Sequence, residues 1–151
     1  MRRGVELLRE RKALHFDGLL KIALAEAQAQ ASDEDRAIAI LDEALATADR
    51  LGYRAFEAEL HRARGETLLK RDPANPTRAE EALQAAIRVA KQQGTRSFGL
   101  RAALALAKLY RSTAHAGDAY AVLSPALEGF LPTPEMPEIA EALGLLAEVA
   151  Q

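Results

Sequence analysis

The stretch "AELHRARGE", residues 58–66, sets His61 among Glu57, Glu59 and Glu66, a composition that could hold a metal ion or carry out proton transfer. A metal reading requires further ligands, but Glu57 and His61 supply only an i, i+4 pair, and His15 and His115 fall in distant turns. General acid–base work requires two ionisable groups converging in a pocket that separates their pKa values, and nothing in the sequence brings such a pair together. Glu57, Glu59 and Glu66 are most simply solvated carboxylates. A second stretch, "GTRSFGLR" at residues 94–101, has the G-x-x-x-x-G spacing of a phosphate loop. Leu100 and Arg101 stand where lysine and a hydroxyl residue are needed, and no strand precedes it. No catalytic, cofactor-binding or metal-binding residue is assigned, and no cofactor is expected.

Charge is distributed unevenly although the net charge is only −2. Arg88, Lys91, Arg96, Arg101, Lys108 and Arg111 follow one another from residue 82 to 111 without an acid, and beyond them come Asp118, Glu128, Glu135, Glu138, Glu141 and Glu148 without a lysine or arginine. Such runs are usually solvated helix faces, and otherwise partner-binding surfaces. Nucleic acid is the alternative partner for the basic stretch 82–111. The acidic tail, the scarcity of aromatic residues for stacking and a pI near 6.0 count against it. The absence of cysteine excludes disulfides, thiolate chemistry and Cys-ligated zinc. No run of 18 apolar residues offers a membrane span, and the first residues lack a signal-peptide core, so a cytoplasmic location is expected.

Any site must be positioned by helices, since apolar residues recur at i, i+3, i+4 and i+7 nearly everywhere and no segment alternates like a strand. The pattern predicts helices at about 4–13, 16–31, 34–51, 54–71, 77–93, 96–113, 117–130 and 135–150. Ser32 or Asp33 is a candidate cap, Gly52 and Gly94 are candidate left-handed terminators, and Pro137 suits a first turn.

Gly65, inside the fourth of these helices, costs about 1 kcal/mol relative to alanine and so calls for a reason. Superposing the chain on itself supplies one. Phe16, Phe56 and Phe98 are 40 and 42 residues apart, and nine residues beyond each stands a small one: Ala25, Gly65 and Ala107. The helices that follow repeat as well: Ala37, Ala79, Ala119; Leu41, Leu83, Leu123; Ala44, Ala86, Ala126; Leu45, Ile87, Leu127. Small residues belong where two helices cross at short distance, and this arrangement is that of the tetratricopeptide repeat (TPR).

The stretches "AELHRARGETLLKRDP", "AEEALQAAIRVAKQQGTRSFGLRAALALAKLYR" and "AYAVLSPALEGF" resemble the C-terminal TPR region of bacterial signal-transduction proteins. These are the STAND-type predicted ATPases, adenylate and guanylate cyclases, and related transcriptional activators. The resemblance covers about residues 4–150, and Pro125 sits in the same unusual place within a second helix. It implies a sensor, scaffold or autoinhibitory surface for a partner protein. The ATPase core and cyclase domain of that family have no counterpart here, so it implies no nucleotide chemistry and no enzyme. Lys12 stands where the family places a helix-ending glycine, which leaves open whether the first two helices are separate or continuous. "RDPANPTR" carries two extra residues.

The expected architecture is one all-α domain over 1–151, an α-solenoid that forms a right-handed superhelix. Its TPR-like repeats run about 16–55, 56–97 and 98–133, after a partial N-terminal helix 4–13 and before a closing helix 135–150. Two surfaces follow. Val5, Leu7 and Leu8 expose apolar side chains and predict self-association as a homodimer. Arg101, Lys108 and Arg111 share one helix face, which the register of Ala107 turns toward the groove. Arg62 and Lys70 are expected in the same hollow, with Glu66 and Glu26 on its wall, so that the groove grades to basic at its C-terminal end and takes an acidic segment of a partner protein. The competing expectation is that the acidic last helix, through Glu138, Glu141 and Glu148, neutralises this face.

Overall fold

The computed structural model describes residues 2–133 and 135–150, with side chains at Ala13 and from Phe16 onward. These residues form seven helices joined by turns, with no strand among them: α1 (Arg2–Gln30), α2 (Glu34–Leu51), α3 (Glu57–Arg71), α4 (Thr77–Gln93), α5 (Arg96–Ser112), α6 (Ala116–Leu127) and α7 (Pro137–Val149). The expected helices at 4–13 and 16–31 are one continuous α1. Neither glycine nor proline falls between Leu7 and Asp17, so nothing interrupts the backbone ladder there.

Local chemistry sets the other boundaries. The Asp33 carboxylate accepts a hydrogen bond from the Arg36 amide at 3.2 Å, which caps α2. Gly52 and Gly94, at φ 63° and 68°, end α2 and α4 in the left-handed conformation that glycine adopts without penalty, and Pro137 lies in the first turn of α7. Helix α6 ends at Leu127, short of the expected residue 130. Pro125 within it has no N–H to donate, and Gly129 turns left-handed at φ 75° just beyond.

Short links reverse the chain, and each helix packs on its sequence neighbours. The odd helices also pack on one another, α1 on α3, α3 on α5 and α5 on α7. The backbones of the even helices stand apart from one another among the described residues. The odd row is therefore the tighter layer and the even row the wider one.

The Ala37 and Leu41 columns of the sequence lie in the interior, the Leu45 column is buried only in part, and of the phenylalanine column Phe16 is exposed while Phe56 and Phe98 are partly buried. Leu41, Leu83 and Leu123 are wholly buried, as are Ala37, Ala79 and Ala119 beside them, and each leucine contributes about 1.5–3 kcal/mol. Ala25, Gly65 and Ala107 are buried at the helix crossings. A Cβ on Gly65 would lie 2.7 Å from Leu83 Cγ, closer than packed atoms approach, and 3.1 Å from the Ala79 carbonyl oxygen, a tight contact with backbone. The glycine is thus required by the contact between α3 and α4.

Candidate functional site

One face of the odd row carries a chain of charges. Arg62 on α3 is at its centre, with only 13% of its side chain exposed. Its guanidinium donates to Glu59 at 3.2 Å, to Glu26 of α1 at 3.1 Å and to Glu66 one turn along α3. Burial works against the Arg62 charge. The carboxylates of Glu66 and Glu59, together with the hydrogen bonds to Glu59 and Glu26, outweigh it and hold the group above its ordinary pKa. Glu66 shows the converse. Burial raises its pKa first, Arg62 opposes that, and Glu26 adds to it, although 49% of the side chain still meets solvent.

Glu59 corrects the sequence reading, which took it as solvated. It is 5% exposed and held between Arg62 and Arg101, the latter at 3.4 Å. The register explains why. Glu59 and Arg101 are 42 residues apart and so occupy the same position in successive pairs, where the packing of α3 on α5 brings them together. Opposite charges at equivalent positions of two copies were a legible signal that the sequence reading missed. Glu57, by contrast, is partly exposed and lies 3.6 Å from Arg54.

The expected basic stripe is present and occupied. Arg101, Lys108 and Arg111 do share a face of α5, but each meets a carboxylate of α7: Glu138 at 2.8 Å, Glu141 at 2.6 Å and Glu148 at 2.7 Å. The groove therefore does not grade to a free basic end. Arg62, Glu66, Arg101, Lys108, Glu138 and Glu141 line a hollow of about 180 Å³ on this wall. Lys70 is not in it. Lys70 lies in an adjoining hollow with Glu26 and Glu66, where it pairs with Glu34 at 3.1 Å and donates to the Ala29 carbonyl near the end of α1. The Glu34 carboxyl is held below its ordinary range, first by a backbone N–H bond and then by Lys70.

His61 is half-buried on the other side of α3. Burial lowers its pKa, Glu57 raises it, and Arg64 and Arg88 lower it further. No group of three or more His, Cys, Asp or Glu residues placed to hold a metal occurs among the described residues. The side chains of Val5, Leu7 and Leu8 lie outside the described residues. Farther along α1, Phe16, Leu19, Leu20 and Leu24 are exposed. No described helix is long and apolar enough to cross a membrane.

No family model, curated protein or solved structure matches this chain.

Proposed function

We propose that this chain is a protein-recognition module of the TPR type, a right-handed stack of helix pairs whose odd-helix wall binds an acidic segment of a partner protein. The observation that supports this reading most is the ladder Arg101–Glu138, Lys108–Glu141 and Arg111–Glu148 on that wall. It is an array of bases spaced along one helix and already satisfied by carboxylates at about 2.6–2.8 Å. The three bases are 42–51% exposed, and exposed pairs are worth about 0–1 kcal/mol each, so an incoming row of carboxylates can exchange with those of α7 at little cost. Arg62 and Glu59, which are buried, would stay in place and shape the floor. The nucleic-acid reading weakens on the same grounds, because half of the basic stretch 82–111 faces these acids rather than forming one open patch.

The test is binding of a glutamate-rich helical peptide, measured by fluorescence anisotropy. The reading expects saturable, salt-weakened binding that the combination of Arg101→Glu, Lys108→Glu and Arg111→Glu abolishes while helicity is unchanged. Unchanged binding to the triple variant would exclude this wall. Phe16, Leu20 and Leu24, exposed at i, i+4 spacing on α1, support self-association through that helix. A concentration-independent monomer mass in light scattering would remove that part of the proposal.

A further inference from the structure

On the opposite layer, α4 and α6 stand apart and leave a trough whose floor is α5. Its volume is about 470 Å³, within the range of sites that hold small molecules. Ile87 and Ala90 form one wall, Gly99 and Ala103 the floor, and Val122 and Pro125 the other wall. Small residues line its floor: Gly99 has no side chain, and a Cβ there would lie 3.5 Å from Ala90 Cβ, an ordinary contact.

The equivalent place one repeat earlier differs in the relevant positions. Counting back 42 residues puts Glu57 where Gly99 stands, His61 where Ala103 stands and Asp49 where Lys91 stands. There the charges are neutralised, with Arg54 at 2.7 Å from Asp49 and 3.6 Å from Glu57. At the mouth of the later trough the two cations, Lys91 and Arg96, have no carboxylate among the residues that line it. Lys91 is exposed and has no partner among the described residues. Arg96 is fixed by a hydrogen bond to the Glu128 carbonyl and lies 4.8 Å over the Phe130 ring, which hold its charge in place without cancelling it. The first turn of α5 also opens here without a side-chain cap, so its N–H groups add positive potential.

We propose that this trough binds a free amphiphile with an aliphatic chain and an anionic head, of the long-chain carboxylate class. The chain would lie along the Ile87, Gly99 and Val122 surface, and the head would meet Lys91 and Arg96. No aromatic side chain lines the trough, so it offers a flat ring nothing to stack on. A cationic head would meet two like charges.

Calorimetric titration with dodecanoate below its aggregation concentration tests this, with dodecanol and dodecyltrimethylammonium as comparisons. The proposal expects one dodecanoate per chain, at least tenfold weaker binding of dodecanol and none of the cation. Lys91→Glu should weaken dodecanoate at least tenfold, and Ala121→Leu, which fills the trough from an exposed wall position, should do likewise with helicity intact. Absence of saturable dodecanoate binding, equal binding of the cationic analogue, or an affinity that neither variant changes would overturn it. The site shares no residue with the odd-helix wall, so the Arg101, Lys108 and Arg111 triple variant should bind dodecanoate as the wild type does.

Discussion

The pair α3–α4 and the pair α5–α6 share one backbone register and handle charge in opposite ways. In α3, Glu59, Arg62 and Glu66 satisfy one another within the wall, and Arg54 neutralises Asp49 and Glu57 on the far side. In α5 the corresponding positions are Arg101, Leu104 and Lys108; Arg101 and Lys108 reach α7, Arg101 also touches Glu59, and the far side keeps two cations with no acid among the residues lining it. Repetition of apolar columns thus fixes where helices lie and leaves the polar positions free to differ. The earlier pair uses its charges for structure, whereas the later pair keeps them available for exchange.

The largest effect that sharpens this contrast is expected at Glu59. Glu59→Leu leaves Arg62 almost buried with one fewer carboxylate, and breaking a buried pair of this kind costs about 3 kcal/mol. Arg101→Ala, at its exposed partner, should cost under about 1 kcal/mol. Urea denaturation of the two variants measures the difference, and equal costs would mean that the two pairs do not handle charge differently.

Next in size is the crossing point. Gly65→Ala places a methyl group against Leu83 and the Ala79 carbonyl, and is expected to lose about 1–2 kcal/mol net of the gain in helix propensity. For a chain of this length that lowers the Tm by roughly 2–8 °C. Ala107→Gly, the reverse change in the later pair, should also destabilise, by about 1 kcal/mol, because alanine already fits there. A Gly65→Ala variant as stable as the wild type would show that α3 and α4 do not approach as described.

The smallest effect concerns pH. Burial holds the His61 pKa below its ordinary value, so the folded chain binds this proton more weakly than the unfolded one. The stability that comes from neutral His61 is present above about pH 6.5 and is lost as pH falls through the unfolded value toward the folded one. His61→Ala makes the earlier pair resemble the later one. It should cost about 1 kcal/mol at pH 7.5 through lost packing, and the gap from wild type should narrow toward pH 5.5. A constant gap across that range would remove His61 as the titrating group.

Apolar periodicity was enough to place six of the seven helices to within a few residues, because the Ala/Leu columns are the packing itself. The α1 boundary was read two ways, since Lys12 gives no local stop signal and only the backbone ladder decides. Gly65 was legible because a glycine within a helix is expensive. Glu59 was misread because burial of a carboxylate depends on which charge the neighbouring helix presents, which one helix viewed alone cannot reveal. The partners of Arg101, Lys108 and Arg111 were foreseen as a competing expectation, but their pairing follows from how α7 docks on α5. The trough was missed because its signal is the replacement of Glu57 and His61 by Gly99 and Ala103, a loss of bulk rather than a motif.

The central claim is that the α5 charges on the odd-helix wall are exchangeable and those of α3 are not. The most direct measurement follows the arginine Nε–H signals by NMR while a glutamate-rich helical peptide is titrated in. The account predicts saturable shifts at Arg101 and Arg111, weakened by salt, with Arg62 and Arg96 unmoved. Saturable binding that shifts Arg62 but leaves Arg101 and Arg111 unchanged, or no binding at low ionic strength, would contradict it.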